Sequence, residues 1–319
     1  MNGSVNTVLG PISADRLGVT SVHESLLSVF PGAQFAFDVT FDRAVIFETL
    51  SAKLTDFRES GGGTIVDSSG QFHGRDPKLY EALSRSTGVH IVASTGQGPE
   101  AMLGGYFLTP QTNPSTPWPA QKFTELFATE VSEGMVVPRV ERRGPAGLVA
   151  TATTRQGRTA TDESLVRGAA RAALTTGVAL SIRYGADALG DLKIALDENL
   201  AADRIVIAGL DRADAAGAAR NVAERGAYVG IDNVGTQGDD HLSDGERVLL
   251  VAELVEAGFS ERILLSSSAT GVAKGHPARE VAFSHILTSF VPALKQHGVD
   301  DATIQRILVE NPRDLLTVR

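Results

Sequence analysis

The chain has 319 residues, 42% of them hydrophobic and 21% charged, with a formal net charge of -9. That length suits either two average domains or one α/β barrel, and the composition excludes disordered and fibrous classes. With few aromatics and no dense basic stripe a nucleic-acid partner is not expected, and the absence of cysteine removes disulfides and thiolate metal sites.

The first residues, Met-Asn-Gly-Ser-Val-Asn-Thr, lack both the charged and the apolar region of a secretory signal, and no apolar run is long enough to span a membrane. A soluble, cytoplasmic protein is expected. From Leu17 to Leu27 a β-type run delivers His23, Glu24 and Ser25 to its carboxyl end. A weakly alternating segment, Phe35 to Thr40, suggests a small extra strand, and a helical pattern covers Asp42 to Arg58. Gly61 to Gly63 stop that helix. They precede the strand Thr64 to Asp67, whereas a phosphate cradle follows a strand, so a turn is expected here.

Pro77 opens the next helix, and Val89 to Thr95 is the third run. Residues 96–119 carry five prolines and the only tryptophan, Trp118, and read as a long irregular loop over one end of the fold. A helix from Ala120 to Glu133 precedes the fourth run, Ala146 to Thr153. The fifth to eighth runs are Val178 to Tyr184, Arg204 to Leu210, Ala227 to Asp232 and Arg262 to Ser268. Helices are expected near 161–176, 187–199, 214–225 and 243–258, the last opened by the capping box Ser243-x-x-Glu246. Two more, near 279–296 and 301–309, complete the chain.

Eight β/α alternations with no Gly-x-Gly-x-x-Gly after the first run predict an α/β fold, a single (β/α)8 TIM barrel spanning residues 1–319. Chemistry in such barrels sits at the carboxyl ends of the strands. Those ends read His23 and Ser25, then Asp67, Thr95, Ala150, Arg183, Gly209, Asp232 and Ser268.

Several separated motifs, Leu17-Gly-Val-Thr-x-x-His-Glu, Thr64-Ile-Val-Asp, Gly74-Arg-Asp, Asp203-Arg-Ile-Val-Ile, Arg262-Ile-Leu-Leu-Ser and Asn311-Pro-Arg, occur in order along the chain. In these the sequence resembles the phosphotriesterase-like branch of the amidohydrolase superfamily. The resemblance implies a two-metal hydrolase, with a His-x-His pair on the first strand, a carboxylated lysine on the fourth, histidines on the fifth and sixth, and an aspartate on the eighth. Here those positions hold His23 and Ser25, Ala150, Arg183, Gly209 and Ser268. One ligand of six remains.

A stable divalent site needs three or four converging donors, and arginine never yields a lone pair. At an effective dielectric near 20, Arg183 would repel a divalent ion by several kcal/mol at a few Å, order of magnitude. No metal or other cofactor is therefore predicted. Zinc or another divalent ion enters only if the protein is an active hydrolase of esters, lactones or phosphoesters with a non-standard site. His73 and His276 follow the second and eighth strands and face the mouth, His90 opens a strand at the wrong end, and His285 and His297 belong to the last helix. Ser266 to Ser268 lack a nucleophile elbow, and Glu24 with Asp67 form a possible acid-base pair.

The leading expectation is a catalytically impaired or non-hydrolytic relative that binds a small organic anion. Arg183 is its counter-ion, His23 and Ser268 are hydrogen-bonding neighbours, and Ser25 and Asp67 complete the ligand-binding candidates. Asp67, Glu24 or Asp211 would otherwise have to neutralise Arg183. No catalytic residue is assigned, no membrane partner is expected, and a homodimer is what the resemblance implies.

Overall fold

A computed structural model of the chain describes residues 3–319 apart from 72, 104–117, 138–139 and 216. The eight apolar runs become strands β1 (Val19–Val29), β2 (Gly62–Asp67), β3 (His90–Thr95), β4 (Leu148–Ala152), β5 (Ala179–Arg183), β6 (Ile205–Ala208), β7 (Tyr228–Ile231) and β8 (Ile263–Leu265). Each pairs in parallel with its neighbours in the chain, the order that right-handed βα crossovers produce.

The eighth strand comes in two pieces. After residues 266–269 the chain resumes as β9 (Thr270–Lys274), which pairs in parallel with β1 from Thr270 against Ser25 to Lys274 against Val29. The split strand thus touches β7 with one half and β1 with the other, which closes the sheet into the expected (β/α)8 TIM barrel. At the seam Glu24 does the work of a ladder: its carboxylate accepts Ser267 N at 2.8 Å and Ala269 N at 2.6 Å. Both N–H groups would otherwise be orphaned where the strand breaks.

Seven helices alternate with the strands: α1 (Arg43–Glu59), α2 (Pro77–Thr87), α3 (Ala120–Ser132), α4 (Ala160–Thr176), α5 (Ala188–Asp197), α6 (Ala218–Glu224) and α7 (Asp244–Glu256). Five of their starts follow from side chains that accept orphan N–H groups: Asp42, Asp76 with Pro77 behind it, and Asp187, with capping boxes at Thr159/Asp162 and Ser243/Glu246. A π-helical turn, Ile286–Phe290, leads into α8 (Val291–Gln296). On α1 the buried residues Ile46, Leu50, Leu54 and Phe57 share one face at helical spacing. Truncating Leu50, which is fully buried, would cost about 2–5 kcal/mol.

Inside the barrel a second apolar cluster, including Val22, Val66, Val92, Leu148, Val206 and Leu264, fills the lower half. Val5 and Leu17 close it from one side and Leu315 and Leu316 from the other. Val5 belongs to a hairpin, Ser4–Thr7 with Gly10–Ser13, that the sequence reading did not foresee.

Several expectations need correction. Phe35 to Thr40 forms no strand: a single 3-10 turn, Ala33–Phe35, precedes loose chain, and Phe35 and Phe37 are exposed. With β9 already on β1, the closed sheet offers no edge for it to join. Of the three glycines only Gly61 turns the chain, at φ +100, while Gly62 and Gly63 lie inside β2. The helix expected from 279 starts only at 286, and the one expected over 214–225 shortens to α6. Of the loop expected over the barrel mouth at residues 96–119, 104–117 lie outside the described residues.

Candidate functional site

A cavity of about 430 Å³ opens at the carboxyl ends of the strands. The local structure of β1 sets its floor. Ser21 is in register with Ile65 and Glu24 with Asp67, so β1 has one residue more than β2 between the two pairs. Such a bulge re-aims a side chain, and here it brings His23 to the cavity. On the wall between β3 and β4, Gly96 has φ +112, and any Cβ there would collide with the Ala150 carbonyl oxygen. Only glycine lets the two strand ends approach so closely.

Of the candidates read from the sequence, His23, Ser25, Arg183 and Ser268 all line this cavity. Arg183 Nη1 stands 3.4 Å from His23 Nε2 and donates at 3.5 Å to Ser268 Oγ, both long contacts. Burial, with Arg183 and then Arg279 nearby, pushes the His23 pKa down to about 3. The ring is therefore neutral, and its Nε2 is free to accept from the guanidinium. Ser25 Oγ pairs with Ser69 Oγ at 2.9 Å.

Asp67 is placed differently. Its carboxylate lies beneath the cavity, accepting Leu26 N at 2.7 Å, Tyr80 Oη at 3.0 Å and Ser69 N at 3.2 Å. It fixes β1 against β2 and does not line the cavity. Glu24 sits opposite Asp67 in the ladder, but the two carboxylates serve different donors, so they do not form an acid-base pair. Burial lifts the Glu24 pKa to about 7, against its bonds from Ser21, Ser267 and Ala269.

Among the described residues Arg183 has no carboxylate within ion-pairing distance. Glu24 and Asp67 are committed as above, and Asp211 takes Arg247 Nε at 2.8 Å and Asn233 Nδ2 at 2.6 Å. Burial lowers the Arg183 pKa, while the charges of Asp232 and Asp211 act in the opposite direction. Asp232 receives Gly209 N and Ser266 Oγ, and burial together with Asp211 raises its pKa to about 7.

Sequence reasoning missed a second guanidinium. Arg279 lines the same cavity and, among the described residues, its guanidinium donates to Asn233 Oδ1 at 2.7 Å. Burial first, and Arg183 second, bring its pKa down to about 10. The helical pattern expected from residue 279 hides it, although Gly275-His-Pro just before it is a turn signal that marks a loop. His73 and His276 line the cavity as expected, and burial is the main cause that lowers the His73 pKa. Ser28, which carried no signal of its own, joins them.

The six metal-ligand positions of the resemblance offer few donors. His23 has the imidazole, Ser25 and Ser268 have hydroxyls, Ala150 contributes a methyl group to the wall, and Gly209 gives only a backbone N–H already bonded to Asp232. Among the described residues no three His, Cys, Asp or Glu side chains converge on a common point. No helix among them is long and apolar enough to cross a membrane.

Comparison with known proteins bears on the whole chain. The family model of the phosphotriesterase family matches residues 3–316. A phosphotriesterase homology protein of Mycobacterium tuberculosis is 28% identical, the match covering 97% of this chain and 96% of that one. An N-acetyltaurine hydrolase of Salmo salar is 24% identical over 100% and 99% of the two chains. A solved structure of an organophosphorus hydrolase variant from Deinococcus radiodurans superposes with a TM-score of 0.87 at 25% identity, covering 98% of this chain and 97% of that one.

Proposed function

Because the chain belongs to the phosphotriesterase family, we propose that it keeps the barrel mouth of its relatives as a binding pocket for a small organic anion, with the two-metal site dismantled. One observation carries this reading. Arg183 is a half-buried cation with no carboxylate partner among the described residues, in a cavity where it contacts the neutral His23 and the Ser268 hydroxyl. A charge partly withdrawn from water without a partner is costly, and a carboxylate, sulfonate or phosphate supplies one through two parallel hydrogen bonds.

The donor set argues against metal at the usual place. His23 Nε2 faces a guanidinium. Ala150 and Gly209 have no donor side chain, and two hydroxyls lack the charge to balance a divalent pair. The residues present do not fit it. A cytoplasmic homodimer belongs to the same proposal, resting on the cysteine-free composition and the family.

The second reading is an active hydrolase of esters, lactones or phosphoesters using a non-standard site. It is favoured by a Ser28–His276 hydrogen bond of 2.8 Å in the same cavity.

Thermal denaturation of chelator-treated protein with phosphate, sulfate, acetate and succinate tests the pocket. An anion at about 100 times its Kd adds about 2.7 kcal/mol of stability to wild type, and Arg183→Met should lose that gain. Equal stabilisation of both proteins sinks the anion reading. One or two zinc, manganese or cobalt ions per chain, by mass spectrometry of protein purified without chelator, sinks the loss of the metal site.

A further inference from the structure

Ser28 and His276 share the cavity with the two arginines and belong to neither the seam nor the anion cluster. Ser28 is half-buried near the end of β1, its Oγ 2.8 Å from His276 Nε2. The other ring nitrogen, Nδ1, lies 2.9 Å from the Pro277 carbonyl oxygen. A carbonyl only accepts, so Nδ1 carries the ring proton and Nε2 presents a lone pair to the serine. The Ser28 hydroxyl therefore donates to His276. Hydroxyl to imidazole to a fixed acceptor is the bonding order of an activated serine, here with a main-chain carbonyl holding the tautomer.

We propose that Ser28 and His276 form a metal-independent nucleophile and base that hydrolyse carboxylic esters bearing an anionic group. The preference for an anionic substrate rests on the anion-pocket reading, whereas the nucleophile stands without it. Ser28 Oγ attacks the ester carbonyl carbon as its proton passes to His276 Nε2. The tetrahedral adduct collapses with cleavage of the ester C–O bond, and His276 returns the proton to the departing alkoxide. A water molecule, deprotonated by His276, then attacks the acyl-serine, releasing the carboxylic acid and restoring Ser28. Arg183 and Arg279 hold the anionic substituent while this happens. Both have guanidinium donors not committed to a carboxylate.

The test uses the full chain treated with chelator. In one arm an uncharged alkyl fluorophosphonate is the probe: Ser28 Oγ bonds to phosphorus as fluoride leaves, and peptide mass mapping locates the adduct. The adduct is expected on Ser28, absent from Ser28→Ala, and formed about 100-fold more slowly in His276→Gln. In the other arm 4-nitrophenyl succinate and 4-nitrophenyl acetate are compared by release of nitrophenol. Wild type should favour the succinate monoester, and Arg183→Met should lose that preference.

No adduct, an adduct on another residue, or an equal rate in His276→Gln overturns the pair. A Ser28 adduct without any preference for the anionic ester leaves the pair standing and sinks the anion-pocket reading alone. If Ser28→Ala fails to fold, Ser28→Cys takes its place, because the chain has no other cysteine. Its alkylation by iodoacetamide should then slow when His276 is replaced by Gln.

Discussion

Two arginines of this barrel, one buried and one half-buried, have opposite surroundings. Arg247, on α7, is completely enclosed, with Nε on Asp211 at 2.8 Å and Nη1 on Asp244 at 2.7 Å. Arg183, at the end of β5, has two long contacts to uncharged groups. The fold gives carboxylates to the cation that ties α7 to the end of β6, and it withholds them from the cation at the mouth. A charge that the scaffold leaves without a partner at the mouth is what separates a site from a structural ion pair.

Deleting each arginine puts the contrast to its hardest test. Arg247→Met strands Asp211 and Asp244 without their cation, and urea denaturation should show a loss of about 3–5 kcal/mol. Arg183→Met removes a charge that has no partner, so the same measurement should show no loss and a gain of about 1 kcal/mol. Comparable losses in the two variants would mean that Arg183 is structural after all.

The barrel was legible because eight apolar runs, each ending on a polar or small residue, need only local reading. Ser25, Ala150 and Arg183 were placed near the mouth by the same reading, because strand register fixes them. What escaped was set by contacts far apart in sequence. Arg279 reaches the mouth because β9 folds back on β1, and nothing local distinguishes that from a helix start. Glu24 was weighed for acid-base chemistry, but its partners are N–H groups more than 240 positions along the chain, at 267 and 269. Ser28 gains meaning only from His276, 248 residues away.

Acid response separates the same two regions by sign. Glu24 and Asp232, at the seam and beneath the mouth, are raised to about 7, mainly by burial. The folded chain holds their protons longer than the unfolded chain does, so their contribution is full below about pH 4 and is lost as pH rises through 7. His23, lowered to about 3, behaves in reverse: its contribution is present above about pH 6.5 and is lost as pH falls towards 3. Urea titrations at pH 5 and pH 8 should therefore show Asp232→Asn losing less stability on going to pH 8 than wild type, by on the order of 2 kcal/mol. His23→Gln should lose less than wild type on going from pH 6.5 to pH 4. Parallel curves for wild type and Asp232→Asn would place the titrating group elsewhere.

The smallest effect concerns Ser268, whose φ of +44 is unfavourable for a residue with a Cβ. Glu24 enforces it by gripping the N–H groups on either side, Ser267 and Ala269, and the result aims Oγ at Arg183. Strain held in place by a buried carboxylate serves the mouth and not the core. Ser268→Gly relieves the backbone and removes the hydroxyl together. Its stability should hold or rise by up to about 1 kcal/mol, since relief of the left-handed strain outweighs the extra freedom glycine gives the unfolded chain. Anion affinity, read from the same thermal titrations, should fall roughly threefold to tenfold, the worth of one ordinary hydrogen bond. Opposite signs for stability and binding would identify the residue as one strained for function. A loss of both would show that the Ser268 hydroxyl holds the split eighth strand together, and that the contrast between scaffold and mouth does not extend to this position.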